Sequence, residues 1–176
     1  MNKQISSPRF WIVSGMVLAA AMLRLVPHYP NFTPIAAMAL FGGAYFSNKK
    51  SAFIVPFAAM FLSDLIIGFH STMWAVYLSF MLIVFIGFSL KEKKKISNIF
   101  VASISSSVLF FVITNFAVWA TGTMYPMNFT GLVESYIAAV PFFHYPLLGD
   151  LFYVGIFFGA FEIAKTKLPV LAEVKA

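Results

Sequence analysis

Six apolar stretches run through this sequence, and nearly all of its basic residues sit in the connections on one side of them. The stretches cover 10–26, 32–46, 52–69, 73–90, 96–120 and 147–164, close to the roughly 17–25 residues that a helix needs to span hydrocarbon. The second is short and holds Pro34 and the Gly42-Gly43 pair, as expected of a segment that is tilted or packed inside protein. A connection of 121–146 separates the fifth stretch from the sixth. Its middle is apolar, carries Glu134 and stops at Pro141. It is too short to span and too aromatic for disorder, so an interfacial helix or cap over about 131–141 is expected.

The composition agrees. Hydrophobic residues make up 61% and charged residues 10% of the 176, with a mean hydropathy of +0.89. Soluble domains average roughly 45–50% apolar and about 25% charged residues. A chain this small cannot bury that much apolar surface behind a water-facing shell. The expected fold class is therefore all-α: a polytopic membrane protein, a six-transmembrane-helix bundle with residues 1–176 as a single domain.

Lys3, Arg9, Lys49, Lys50, the four lysines within 91–95, Lys165, Lys167 and Lys175 all fall on one side of alternating crossings, and Arg24 alone on the other. Basic residues collect at cytoplasmic ends, so both termini are expected in the cytoplasm; five or seven crossings would break the alternation. The net charge of +6 then reads as orientation and contact with anionic membrane lipid, with no nucleic acid involved. The absence of cysteine excludes disulfides, thiolate metal sites and cysteine nucleophiles. Lys3 and Arg9 before an apolar run that reaches Ala19-Ala20-Ala21 imitate a signal peptide. The run continues through Met22, Leu23, Leu25 and Val26, however, and the charge pattern closes only if it is kept.

Four polar residues fall inside the apolar stretches near their external ends: Arg24 in the first, Asp64 in the third, Asn115 in the fifth and Asp150 in the sixth. At 1.5 Å rise per residue all four come within roughly 10 Å of the outer boundary. A charge in hydrocarbon costs roughly 2.5–3.5 kcal/mol on insertion scales, so four helices bearing polar groups at one depth are expected to bring them together. Two readings follow. In one, Arg24 bridges Asp64 and Asp150 as a structural lock; in the other, the group is the floor of an outward-facing binding site. The external connections add His28, Tyr29, His70, Trp74, Tyr125, His144 and Tyr145. Such rings are either an interfacial belt or the lining of a small-molecule pocket, and their scarcity in the cytoplasmic connections favours the pocket. The fifth stretch opens with Ser103, Ser105, Ser106 and Ser107, and the first carries the small pair Gly15 and Ala19 in its cytoplasmic half, a spacing that lets another helix approach closely.

No nucleophile elbow, HExxH, P-loop or GxGxxG occurs, and three histidines in three separate connections do not have metal-ligand spacing. No metal, no cofactor and no enzymatic activity are expected on these grounds. A membrane-embedded enzyme with Asp64, Asp150 and His70 as acid–base groups is one rival reading, and an ion-coupled carrier or a structural subunit are others.

The runs RLVPHYPNFTPIAAMALFGGAYF, FLSDLIIGFH, TNFAVWATGTMYP and LLGDLFYVGIFFGAF resemble a family of small bacterial membrane proteins. That family is regarded as similar to the substrate-binding S-components of energy-coupling factor (ECF) vitamin transporters. The resemblance covers about 24–161. It implies a six-helix bundle in the bacterial cytoplasmic (inner) membrane, with a solute bound externally beneath the connections 27–33, 68–72 and 121–146. It also implies a small-residue face on the first helix, here Gly15 and Ala19, that docks a coupling subunit carrying ATPases. The solitary cobalamin-specific S-component is similar in size; its cobalt-contacting cysteine has no counterpart here, and His70 stands near that place. The expected function is capture and inward movement of a vitamin-like or other small organic solute. Arg24, Asp64, Asn115 and Asp150 would form its polar floor, with His70, Trp74, Trp119, Tyr125 and His144 lining or covering the pocket.

Overall fold

The helices begin where the sequence supplies caps. Ser7 accepts from the Phe10 amide at 3.2 Å with Pro8 in the first turn, Asn48 accepts from Lys50 at 2.8 Å, and Asn128 accepts from Gly131 at 2.9 Å, each satisfying one of the amides a helix start leaves open. The computed structural model describes residues 7–171, which form α1 (Pro8–Leu23), α2 (Ile35–Tyr45), α3 (Lys49–Ile67), α4 (Met73–Ser89), α5 (Ile96–Thr121), α6 (Phe129–Ala139) and α7 (His144–Lys167), with short 3-10 turns at Val140–Phe142 and Pro169–Leu171. The protein is all-α among the described residues. Lys3 and Lys175 lie outside them.

Helices α3, α5 and α7 are long and apolar enough to cross a membrane. Helices α1, α4 and α2 are shorter, with 16, 17 and 11 residues. Large apolar side chains face outward, among them Ile54, Phe61 and Ile66 on α3 and Phe100, Val101 and Val112 on α5, a surface that suits lipid and not water. These are the features of a multi-pass membrane protein. Helix ends differ from the apolar stretches by a few residues. The first stretch runs to 26 but α1 stops at Leu23, because Leu25 and Val26 bond back three residues in a tightening turn ahead of Pro27. The sixth helix starts at His144, since Pro146 is tolerated in a first turn. The cap is a helix of its own, α6, closed by Pro141.

Helix α2 is the centre of the bundle. Every residue from Ala36 to Tyr45 is buried, and α1, α3, α4, α5 and α7 all pack on it. The short apolar segment is thus enclosed by protein, as its length and glycines implied. Its closest neighbour is α4. A Cβ on Gly43 would stand 2.4 Å from the Val84 carbonyl oxygen and 2.9 Å from the Gly87 Cα, and one on Gly87 would meet Leu40 O at 2.6 Å. The two backbones touch there with nothing between them, the close approach that small residues permit in membrane helices.

The bundle has two unlike ends. At one, Arg9 donates to the Tyr45 carbonyl at 3.0 Å and to the Leu171 carbonyl at 3.3 Å, which places the start of α1 beside the end of the described chain. Tyr45 donates to Glu162 at 2.7 Å, and Glu162 pairs with Lys165 at 2.5 Å. Phe41, Tyr45 and Phe161 stack in the core below, with Tyr45 and Phe161 centroids 4.3 Å apart. Lys49, Lys50, Lys91, Lys93, Lys94 and Lys95 flank this lysine-rich end. The acids Asp64 and Asp150 lie toward the other.

Replacing Gly43 by valine forces the α2–α4 contact apart, and overpacking of this kind costs about 1–3 kcal/mol. Its thermal unfolding midpoint in detergent is expected to fall well below wild type. Gly155→Ala, whose Cβ meets nothing within 4 Å, should leave the midpoint nearly unchanged.

Candidate functional site

The polar residues expected to meet at one place form two clusters instead. Arg24 is the C-cap of α1 rather than an interior residue, a position where a cation complements the helix dipole. Its Nη2 lies 2.6 Å from Asp64 Oδ1, and the two side chains are 9% and 2% exposed. Nη1 reaches the Met60 carbonyl at 3.3 Å and also donates to Ser63 Oγ. The second Asp64 oxygen accepts from the Tyr77 hydroxyl at 2.7 Å. Asp64 is thereby satisfied on both oxygens, and α1, α3 and α4 are tied together by one buried carboxylate.

Asp150 is not part of that lock. Arg24 does not bridge to it, because the Met60, Ser63 and Asp64 groups of α3 already take the guanidinium. Asp150 is 5% exposed, and its Oδ2 accepts from Ser107 Oγ at 2.6 Å. Its Oδ1 has no hydrogen-bond partner among the described residues. Ser107 stands on the serine face of α5, where Ser103, Ser106 and Ser107 are all buried. Ser106 donates to the Ala102 carbonyl at 2.8 Å, a back-bond that lets a hydroxyl sit inside an apolar helix.

Asp150 borders a cavity of about 450 Å³. Asn31, Thr33, Ile35 and Ala36 enter it from the α1–α2 connection and the start of α2. His70, Thr72 and Val76 enter from the α3–α4 connection and α4. Helix α5 supplies Phe110, Phe111, Thr114, Asn115 and Val118, and the cap and α7 supply Ala139, Phe142, Phe143, Pro146 and Asp150. The cavity therefore lies where the connections 27–33, 68–72 and 121–146 converge. Two backbone features shape its rim: Gly68 ends α3 at φ +104°, open to glycine at no steric cost, and Asn31 turns at φ +63°.

Two of its polar groups bond back to their own helix. The Thr114 hydroxyl donates to Phe110 O at 2.7 Å and the Asn115 amide to Phe111 O at 2.8 Å. The Thr114 lone pairs and the Asn115 carbonyl oxygen are left over. His70 Nδ1 shares a hydrogen bond with Thr72 Oγ1 at 3.0 Å. Among the described residues Asp150 and His70 are the titratable side chains on the wall, and neither lysine nor arginine reaches it.

Of the residues singled out in the sequence, the structure brings His70, Asn115 and Asp150 to this cavity. It does not bring Arg24, Asp64, Trp74, Trp119, Tyr125 or His144 to its wall. Trp74 points outward at 45% exposure. Trp119 donates through Nε1 to Pro126 O at 2.9 Å and stacks on Phe116, pinning the connection that leads to α6. His144 bonds to Pro141 O at 2.8 Å and stacks on Tyr145, whose hydroxyl lies 3.2 Å from that of Tyr29. Tyr77 and Ser107 were missed as partners. The signal for both was a hydroxyl inside an apolar helix at the depth of an acid. Gly15 and Ala19 are exposed, with nothing over Gly15.

Among the described residues no cluster of three or more His, Asp or Glu could hold a metal ion. Removing one partner of a buried ion pair costs about 3–5 kcal/mol, so Asp64→Asn should lower the unfolding midpoint sharply by stranding Arg24. The paired change Arg24→Met with Asp64→Leu should recover most of that loss. Equal stability of wild type and Asp64→Asn would show that the pair is not a lock.

Residues 4–171 match the model of a protein family described as a family of unknown function, DUF6580. No curated protein and no solved structure matches the chain.

Proposed function

The chain belongs to that family, and we propose that it captures a small organic solute in the 450 Å³ cavity and moves it across the cytoplasmic membrane, in the manner of an ECF-type S-component. The observation that carries this reading is the cavity itself. Its size falls in the range of about 300–1,000 Å³ typical of small-molecule sites, and its wall is apolar with a few converging polar groups.

The topology supports the direction. If α1, α2, α3, α4, α5 and α7 each cross, six crossings return the chain to its starting side, in keeping with Arg9 meeting the Leu171 carbonyl. The lysine-rich end then faces the cytoplasm under the positive-inside rule, and the cavity opens externally. The outward face of α1, with Gly15 and Ala19 beside exposed Trp11, Leu18 and Met22, is suited to docking a coupling subunit with its ATPases. In the rival reading, an enzyme with Asp64, Asp150 and His70 as acid–base groups, Asp64 is the weak member, since Arg24 and Tyr77 occupy both of its oxygens.

A thermal-shift screen of vitamins, their precursors and organic amines on the purified protein tests this reading. A ligand at 100 times its Kd stabilises by about 2.7 kcal/mol, so at least one compound should raise the midpoint. Ala139→Phe, which fills the cavity from its cap, should abolish that shift. A panel without any shift would favour a structural subunit.

A further inference from the structure

Resting on that reading, we infer that the solute is an organic cation, an amine or quaternary ammonium on an apolar or aromatic body, whose charge is met by the free oxygen of Asp150. The two acids of the bundle supply the contrast. Asp64 is given a guanidinium and a tyrosine hydroxyl by the protein itself. Asp150, equally enclosed at 5% exposure, is given only the Ser107 hydroxyl on one oxygen. A carboxylate withdrawn from water either takes up a proton or calls for a countercharge, and among the described residues the wall of the cavity holds no lysine or arginine. The missing positive charge is therefore available to be brought by a ligand.

The rest of the wall suits the same chemistry. Thr114 has spent its hydroxyl proton and Asn115 one of its two N–H groups on backbone carbonyls of α5, so the Thr114 hydroxyl and the Asn115 carbonyl each have an oxygen that can accept from an N–H donor. Phe110, Phe111, Phe142 and Phe143 offer ring faces and edges; ring faces attract ammonium groups within about 6 Å of their centroids. An anion of the same shape would meet Asp150 with like charge. A neutral solute would leave the carboxylate without its counterion.

The test compares three probes with one body: 4-phenylbutylamine, 4-phenylbutanol and 4-phenylbutyrate. Each is titrated at neutral pH into the full-length protein in nanodiscs, as the free probe and as competitor against any solute found in the screen. The amine is expected to bind at least tenfold tighter than the alcohol, with no binding of the carboxylate. In Asp150→Asn the amine and alcohol should bind equally, while Asp64→Asn, if it folds, should keep the preference. The wild-type comparison stands even if Asp150→Asn does not fold. Equal affinity for amine and alcohol in wild type, or a preference that survives Asp150→Asn, would overturn the cation assignment and leave solute capture intact. Failure of every probe and every screened compound to bind would instead overturn solute capture, and this inference with it.

Discussion

An acid enclosed by apolar helices must be given a partner, and the way this bundle treats its two membrane-embedded aspartates organises everything at the cavity end. Asp64 draws Arg24 down from the end of α1 and Tyr77 across from α4, so one carboxylate fixes three helices. Truncating either side of such a pair strands the other in low dielectric, which is why buried pairs hold position more reliably than they add stability. Among the described residues Asp150 has no equivalent partner, and a cavity lies beside it. The unequal treatment separates what builds the bundle from what the bundle offers to a ligand.

That empty space has a cause in the length of α2. Eleven residues of helix extend about 16 Å, roughly half the thickness of a hydrocarbon core. The central helix therefore fills the lysine-rich half of the bundle, where Phe41 and Tyr45 pack on α7, and stops short of the other half. Ile35 and Ala36, its first residues, form part of the cavity wall. The Gly43–Gly87 contact holds α2 against α4 at the closed end, and α6 lies across the open one, held to α5 by the Tyr136 hydroxyl on Val112 O at 2.6 Å. A short buried helix with small residues at one end thus creates a packed half and a hollow half within a single bundle.

Much of this was legible in the residues. Hydropathy placed every helix, including the cap, and Pro34 with Gly42-Gly43 marked α2 as either tilted or packed inside protein, of which the structure shows the second. What failed was convergence. Depth along a helix can be read from sequence, but rotation about its axis cannot when a helix is apolar all round, as α2, α4, α5 and α7 nearly are. Arg24, Asp64 and Asp150 share a depth; their facing is set by which helices are neighbours, and that puts Asp150 with Ser107 and Asp64 with Tyr77. The aromatic residues misled for a related reason. Trp119 and His144 lie close in sequence to the cavity wall, yet their polar atoms are consumed by Pro126 and Pro141 carbonyls, leaving phenylalanines, which carried no polar signal, as the wall.

The two clusters are nevertheless mechanically joined through α4. Val76 lines the cavity, and its neighbour Tyr77 holds Asp64. A displacement of α4 at Val76 therefore also displaces Tyr77 and acts on its hydrogen bond to Asp64. The Gly43–Gly87 contact sets backbone against backbone near the lysine-rich end, so α4 is held most closely to α2 away from the cavity and meets the polar clusters through Val76 and Tyr77 at its other end.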